Sequence, residues 1–398
     1  MLPLALTSFT ATSCLGTGLV ATLASLRARR TGLAACGFET VVLDTSVGEV
    51  RGADEVSLPA ALQAYECRNN RLAHLALAQD GFTDSVRDCA ARVGSARVGV
   101  FLGTSTSGIL ETELAYRRRD AASGALPADF RYRGAHNTFS LAAFVRAALQ
   151  LAGPAAVISS ACSSSAKVFA SAQRAIEAGL IDAAVVGGVD SLCLTTLYGF
   201  HSLQLVSHRP CRPFDVARDG ISIGEAGAFA LLERSDASAA AVLLMGTGES
   251  SDAYHMSSPH PQGRGARAAM LQGLASAGLA PADIDYINFH GTGTPSNDEA
   301  EACAVAAVLG SEVPGSSTKG ATGHTLGAAG ALEAVICALA LQHDFMPGGA
   351  NTTDVDPALK VNYLLDNVPK RIHHVMSNSF GFGGSNCSLI FGRRGRHP

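Results

Sequence analysis

Short apolar runs alternate along the chain with longer, alanine-rich stretches of helix-forming residues. Residues 155–160 are small or β-branched and predict a strand, residues 163–178 predict a helix, and residues 183–188 predict a second strand. An order of strand, helix and strand is typical of α/β proteins and not of separate all-α and all-β parts. The pattern therefore predicts a sheet with helices packed against it.

The later part of the chain shows the same order of elements. A strand is predicted over residues 284–289, a helix over 298–309 and a longer, mostly apolar helix over 325–341. The first 26 residues lack a basic start and are interrupted by serine and threonine, so they predict a strand and a helix instead of a signal peptide. Elsewhere glycine, serine or charged residues interrupt each apolar stretch before the ~18 positions of a membrane span.

Residues 233–240 separate two apolar runs and give the best position for a domain boundary. We place an N-terminal half at residues 1–238 and a C-terminal half at residues 239–398. Because no proline-rich or low-complexity linker lies between them, the halves are predicted to pack as one body.

Composition narrows the class of protein. Of 398 residues, 47% are apolar and 16% charged, against a usual charged share of about 25%, which predicts extensive burial. A formal charge of -4 argues against a nucleic-acid-binding protein. The ten cysteines form no C-x-x-C pair, so the sequence predicts no metal site and reduced thiols in a soluble, cytoplasmic protein.

Cys162 is the candidate nucleophile, because it stands where the predicted strand meets the predicted helix. Free backbone N–H groups and the positive end of the helix dipole at such a junction favour a thiolate, the form that attacks carbonyl groups. A buried, inert thiol is an equally good interpretation of this position alone. No other cysteine has this setting.

Two histidines also lie at ends of predicted elements. His290 follows the strand at 284–289, and His324 lies in a predicted flexible loop that leads into the helix carrying Glu333. Lys319 can form an ion pair with Glu333 that holds His324, although a charged helix start explains these two residues nearly as well. Residues 377–386 form a predicted glycine-rich turn whose amides could face an oxyanion; a nucleotide-binding loop is absent from the sequence.

Taken together and in this order, the motifs resemble the β-ketoacyl-acyl-carrier-protein synthases, the Cys-His-His condensing enzymes of the thiolase superfamily. The motifs that carry the resemblance are residues 160–164, 213–215, 218–220, 224–225, 251–256, 290–294, 319–330 and 378–386. The resemblance covers nearly the whole chain. It implies an α/β, thiolase-like fold with five layers, α-β-α-β-α, made of two similar halves.

The resemblance also implies roles for single residues. Cys162 would accept an acyl group as a thioester, and His290 and His324 would act on a malonyl thioester. Lys319 and Glu333 would support the second of these histidines, His324.

Four further residues complete the implied site. The amides of Cys162 and Phe382 would bind the oxyanion, and Phe382 would also gate the acyl pocket. Phe200 resembles the acyl-pocket phenylalanine of the family, and the hydroxyl groups of Thr292 and Thr294 would bind the pantetheine arm, although ordinary turn chemistry also explains both threonines.

The implied reaction is the decarboxylative Claisen condensation of malonyl-carrier protein with the acyl group on Cys162. No cofactor is implied, since phosphopantetheine arrives on the acyl carrier protein. The second partner would be another copy of the chain, giving a homodimer, or a chain-length-factor-like paralogue, giving a heterodimer. Ser163, Ser164 and Ser165 and the segment 188–193 depart from the fatty-acid elongating members, and they resemble the aryl polyene biosynthesis type.

Carrier proteins are acidic, so a basic patch is expected on the enzyme. Arg68 with Arg71, and the run Arg117 to Arg119, are the candidates, although a charge run is usually a solvated face.

Other classes remain as alternatives. A non-catalytic, chain-length-factor-like subunit would shape a partner's pocket, but the chain keeps its Cys-His-His set. A coenzyme A-dependent thiolase would need a C-x-G-x-G element, which Cys387 does not provide, and a Cys-His-Asn condensing enzyme would have asparagine in place of His324.

Overall fold

The computed structural model describes residues 2–234 and 242–393, so the predicted boundary at 238/239 lies outside the described residues. The strands are β1 Leu4–Ser13, β2 Gly16–Thr17, β3 Ala34–Ala35, β4 Ser46–Gly48, β5 Val98–Gly103, β6 Ala155–Ile158, β7 Ala183–Asp190, β8 Ile223–Gly224, β9 Ala226–Arg234, β10 Val242–Ser251, β11 Tyr286–Asn288, β12 Pro314–Ser316, β13 Phe345–Met346, β14 Asn362–Tyr363, β15 Val368–Pro369, β16 His374–Gly381 and β17 Ser385–Arg393. The helices are α1 Gly18–Arg27, α2 Arg68–Leu77, α3 Phe82–Val93, α4 Ile109–Arg117, α5 Phe139–Ala148, α6 Ser164–Glu177, α7 Leu194–Ser202, α8 Arg264–Ala277, α9 Pro295–Leu309, α10 Lys319–Thr322 and α11 Ala329–His343.

The same strand order occurs twice. It is β6-β5-β7-β9-β1 in the first half and β12-β11-β16-β17-β10 in the second, where β14 is added at the edge. In each half the first three strands of this order are parallel, and the last two continue the sheet antiparallel. The chain is therefore built from two similar halves, which join where β1 pairs with β10.

Helices α6 and α11 lie between the two halves. Every residue of α11 from Ala329 to Leu341 is buried, and all of them except Glu333 are apolar or glycine, as is typical of a helix in a protein core. By length and composition alone, the segment Leu326–His343 could cross a membrane, but 89% of it is buried inside the protein. It is therefore the central helix of the largest hydrophobic core.

Two further cores lie on the outer faces of the sheet. Helices α2, α3 and α5 cover the first half through residues that include Leu72, Phe82 and Phe144. Helices α8 and α9 cover the second half through Met270 and Val305, among others. The order of layers is thus helices, sheet, central helices, sheet and helices, which confirms the predicted five-layered α-β-α-β-α fold.

The central helices meet at their N-terminal ends. The N–H of Ala331 donates to Ser165 Oγ at 2.9 Å, and a Cβ on Gly330 would lie 2.6 Å from the backbone nitrogen of Ala166. Only glycine allows this approach without a shift, because a real Cβ needs more space. The first turns of α6 and α11, which belong to different halves, are therefore fixed against each other.

The predicted strands and helices at 155–188 and 284–309 are all present, with small differences at their ends. Two predictions were wrong. The segment before His324 is not a flexible loop, because α10 is buried along its whole length. The predicted turn at 377–386 is mostly strand, since β16 continues to Gly381 and only Phe382–Gly384 forms the turn.

Candidate active site

Loops that follow the parallel strands of both halves meet beside the central helices. Cys162 follows β6, His290 follows β11, Lys319 and His324 follow β12, and Phe382 follows β16. The carboxyl ends of parallel strands are the usual place for α/β sites. Because each half contributes its own set of strand ends, residues far apart in sequence form one cluster.

Cys162 is buried just before α6, as the sequence predicted. The preceding residue, Ala161, has a φ of 51°, a left-handed conformation that is costly for a residue with a Cβ and is often found at functional sites. Burial raises the pKa of the Cys162 thiol to about 11, whereas the Lys319 charge and the N–H groups of Phe382 and Cys162 lower it. The N–H groups at the junction favour the thiolate, as the sequence predicted, but burial has the larger effect on the pKa of the thiol.

His324 lies next to the thiol. Its Nε2 is 3.0 Å from Cys162 Sγ, and the N–H of Leu326 donates to its Nδ1 at 3.3 Å. Burial, followed by the charge of Lys319, lowers the pKa of His324 well below its usual value. A neutral ring whose Nδ1 accepts a hydrogen bond carries its proton on Nε2, so His324 presents an N–H donor to the pocket.

His290 is the second ring. Its centroid lies 5.3 Å from that of His324, with the ring planes at 83°. Burial is again the main cause that lowers the pKa of His290 well below its usual value, helped by Lys319 and His324. Lys319 Nζ lies 3.4 Å from His290 Nδ1, so this ring also carries its proton on Nε2.

Lys319 and Glu333 form the predicted ion pair, and both side chains are buried. Lys319 contacts His290 and not His324, which corrects the implied role of Lys319 as a support for His324. Lys319 affects His324 only through its charge, which lowers the pKa of that ring. The reason is geometric, since Lys319 follows β12 and His290 follows β11, and these two strands are parallel neighbours in the sheet. Burial raises the pKa of Glu333 to about 7, and Lys319 opposes the shift.

Glu301 is a site residue that the sequence analysis missed. Its carboxylate accepts the N–H groups of His290 and Gly291 at 2.8 and 2.7 Å, and Asn378 donates to it at 3.2 Å. Burial raises its pKa to about 7, and the N–H donors oppose this shift. The available signal was a glutamate at a wholly buried position of the alanine-rich helix α9, on the side that faces the His290 loop.

A pocket leads to the cysteine and both histidines. Its volume is about 50 Å³, enough for a few water molecules only. Its lining includes Cys162, His290, His324, Thr292, Thr294, Phe200, Leu205, Ile221, Asp252, Phe380 and Phe382. The rings of Phe200 and Phe382 lie 5.6 Å apart, and the Thr292 and Thr294 hydroxyl groups are 2.9 Å apart. Every predicted pocket residue is therefore present, whereas Lys319 and Glu333 lie behind the histidines.

The cluster also has ligand atoms that a soft metal ion could use. The relevant atoms of Cys162, His290 and His324 all lie within 4.8 Å of one another, and Zn²⁺ binds thiolate and imidazole. The Lys319 ammonium beside His290 opposes a second cation at this position. The absence of a metal from the function stays a prediction.

The predicted docking patch at Arg68 is wrong. Arg68 is only 1% exposed, and its guanidinium pairs with Glu225 at 2.7 Å and contacts Asp54. Arg71 is half-buried and pairs with Asp54 and Glu66. The run Arg117 to Arg119 is exposed at the end of α4, so a docking role there stays a prediction.

The chain has two similar halves, with a cysteine before the central helix of the first half and two neutral histidines from the second. These features define a Cys-His-His protein with a thiolase-like fold. The family profile "Beta-ketoacyl synthase, N-terminal domain" matches residues 69–237, and "Beta-ketoacyl synthase, C-terminal domain" matches residues 241–353. The chain belongs to the β-ketoacyl synthase family.

Relatives and solved structures agree. The chain is 38% identical over 249 residues to 3-oxoacyl-[acyl-carrier-protein] synthase 2 of Mycobacterium bovis, covering 59% of this chain and 60% of that protein. It is 37% identical over 307 residues to nodulation protein E of Rhizobium meliloti, covering 74% and 75%. The match therefore spans less than two thirds of the first of these relatives.

The structural matches span nearly the whole chain. One is a chain in the structure of the ketosynthase ApeO in complex with its chain length factor ApeC from Xenorhabdus doucetiae, with 38% identity, a TM-score of 0.89 and coverage of 99% of this chain and 98% of that one. Another is a β-ketoacyl synthase from Burkholderia phymatum, with 29% identity, a TM-score of 0.87 and coverage of 99% and 100%.

Proposed function

We propose that the protein is a β-ketoacyl-acyl-carrier-protein synthase, an acyltransferase that condenses malonyl-carrier protein with an acyl group held on Cys162. One observation carries the proposal: the thiol lies 3.0 Å from the Nε2 of a neutral His324, and a second neutral ring, His290, stands across it. A nucleophile with two N–H donors beside it fits acyl transfer followed by enolate formation.

Acyl transfer comes first. Cys162 Sγ attacks the carbonyl carbon of the acyl-carrier thioester, the bond from that carbon to the pantetheine sulfur breaks, and the departing thiolate takes the proton lost by Cys162. The N–H groups of Cys162 and Phe382, which lower the pKa of the thiol, would bind the tetrahedral oxyanion. One such donor is typically worth about 3–4 kcal/mol.

Decarboxylation of malonyl-carrier protein follows. The bond to the carboxylate breaks, CO₂ leaves, and the electron pair moves onto the thioester oxygen as an enolate. The Nε2–H groups of His290 and His324 would both donate to that oxygen, which neutral rings can do at neutral pH. The enolate carbon then attacks the acyl carbon, and the carbon–sulfur bond to Cys162 breaks. Uptake of one proton restores the thiol.

In this proposal, substrate entry involves movement of the side chains that line the pocket. A pocket of about 50 Å³ cannot hold an acyl chain, and the Phe200 and Phe382 rings are close enough to close it. Both rings are partly buried, and Gly383, beside Phe382, has a φ of 79°, a conformation that glycine adopts without strain. Thr292 and Thr294, near the pocket opening, would hold the pantetheine arm.

A second subunit is part of the proposal. The edge strand β6 pairs only with β5 among the described residues, and exposed sheet edges are usually covered. The ApeO structure contains a chain length factor, and another similar structure is a ketosynthase/chain length factor with 25% identity and a TM-score of 0.88. We propose that this chain, which keeps Cys162, is the catalytic subunit of a homodimer or of such a heterodimer.

The finer assignments belong to the same proposal. The acyl carrier protein would be the macromolecular substrate and the cytoplasm the compartment. The aryl polyene type would explain why Ser163 to Ser165 follow the nucleophile.

Intact-mass measurement tests the function. The native protein, alone and with its candidate partner subunit, is incubated with acyl- and malonyl-carrier protein and compared with Cys162→Ala. We expect an acyl adduct on the native protein and none on Cys162→Ala. With the native protein, we also expect a β-ketoacyl product on the carrier protein. An adduct retained by Cys162→Ala refutes the nucleophile. A native protein that never carries the acyl group supports the non-catalytic alternative.

A further inference from the structure

Asp190, the last residue of β7, carries a buried carboxylate that the mechanism above does not use. Four hydrogen bonds reach its Oδ1, from the hydroxyl and N–H groups of Thr104, Ser105 and Thr106. Oδ2 accepts the N–H of Gly327 at 2.6 Å and is contacted by the Ser105 hydroxyl. Burial raises the pKa of Asp190, and the hydrogen bonds from Ser105, Thr104 and Thr106 oppose this shift. A set made only of donors fits the carboxylate form, because these hydrogen bonds replace water around the buried charge.

These contacts join the two halves of the molecule. Thr104 to Thr106 follow β5 in the first half, whereas Gly327 belongs to the turn between His324 and α11 in the second half. The approach is close, because a Cβ on Gly327 would lie 2.8 Å from Asp190 Oδ2 and 2.7 Å from the backbone nitrogen of Ser105. The carboxylate therefore fixes the turn that follows His324.

That turn determines which nitrogen of His324 carries the proton. Leu326, next to Gly327, has a φ of 51°, and in this conformation its N–H donates to His324 Nδ1. The other ring nitrogen, Nε2, then carries the proton and lies 3.0 Å from Cys162 Sγ. The path from Asp190 to the reacting sulfur thus passes through Gly327, Leu326 and His324, each step being a hydrogen bond or a peptide bond.

We propose that Asp190 is a positioning residue, which holds the Leu326–Gly327 turn so that His324 keeps its proton on Nε2 and aims it into the pocket. This inference rests on the proposed function, in which that proton stabilises the enolate.

Asp190→Asn selectively removes the hydrogen bond between Asp190 and the Gly327 N–H. The amide oxygen is expected to take the place of Oδ1, which receives four hydrogen bonds, so the amide NH₂ faces the Gly327 N–H, where no hydrogen bond can form. Misplacement of a catalytic group by about 1 Å can cost about 10²-fold in rate. We expect a fall of that size in kcat for malonyl decarboxylation, with KM for malonyl-carrier protein unchanged.

Gly327→Ala tests the same contact from the other side. Its Cβ would push the turn away from Asp190 while leaving the carboxylate charge in place. Decarboxylation should fall as in Asp190→Asn. The charge of Asp190 raises the pKa of the Cys162 thiol, so the pH midpoint for alkylation of Cys162 should shift down in Asp190→Asn only. Loss of packing alone would not produce this difference.

Asp80→Asn is the control for removal of an aspartate charge away from the site, because the exposed Asp80 accepts the Leu19 N–H and the Thr10 hydroxyl on the α1 side and does not line the pocket. A wild-type protein that does not decarboxylate malonyl-carrier protein would remove the proposed function itself. If the wild type is active, a folded Asp190→Asn or Gly327→Ala with wild-type kcat overturns the inference. A change confined to KM, or equal losses of decarboxylation and self-acylation, also overturns it.

Discussion

The buried pair of Lys319 and Glu333 allows folding and catalysis to be separated. The lysine contacts the glutamate and lies 3.4 Å from His290 Nδ1. Lys319→Met leaves a buried carboxylate without its cation. Lys319→Met combined with Glu333→Leu replaces the whole pair by apolar side chains of similar size.

The two variants should differ in stability but not in activity. Removing one partner of a buried pair costs about 3–5 kcal/mol, whereas replacing both is often neutral or even stabilising by about 1–4 kcal/mol. Lys319 contacts Glu333 Oε1, and Oε2 has no hydrogen-bond partner among the described residues, so the single variant leaves a buried carboxyl group without a compensating partner. In both variants His290 loses the Lys319 contact that keeps its proton on Nε2, and loss of one hydrogen-bond donor to an oxyanion costs about 10²–10³ in rate.

Urea unfolding and single-turnover decarboxylation of malonyl-carrier protein measure the two effects. We expect the free energy of unfolding to fall by about 3–5 kcal/mol in the single variant and to recover in the double variant. Decarboxylation should be slower by about 10²-fold in both. If decarboxylation recovers together with stability in the double variant, Lys319 serves folding alone and the reasoning is refuted.

Three further predictions concern the proposed reaction. His324→Ala should slow malonyl decarboxylation by about 10² or more while self-acylation changes much less, because only the enolate needs this donor; equal losses would remove its role. Alkylation of Cys162 by iodoacetamide should quicken about tenfold per pH unit from pH 7 towards about 11, since burial raises the pKa of the thiol and thiolate forms only as pH approaches that value; a plateau below pH 9 would contradict this. Charge reversal of Arg117 to Arg119 should raise KM for carrier-bound substrate and spare small thioester mimics; an equal effect on both would remove docking from this exposed run.

The hydrophobic pattern was sufficient to predict the main strands and helices of the fold. Apolar runs predicted β6, β7 and the central helices, because β7 and most of the two helices are buried and β6 is half-buried. Cys162 and His290 could be found from their positions after strands. The apolar pattern of a segment and the position of a residue after a strand are both local properties, so the neighbouring sequence is enough to predict them.

What the sequence could not show depends on contacts between distant segments. Lys319 was matched with His324, its near neighbour in sequence, yet it contacts His290, which comes from another strand end. Glu301 and Asp190 act through backbone N–H groups of loops that only the folded chain brings to them. The raised pKa of Cys162 follows from burial by both halves, which no local motif records.

The apolar helix α11 has a consequence for synthesis of the chain. It belongs to the second half, so the first half leaves the ribosome with α6 and the inner face of its sheet still in contact with water. Such transiently exposed surface favours aggregation. Expression of residues 1–234 alone should therefore give insoluble protein or require a chaperone, and the nascent chain is most at risk until α11 has been made.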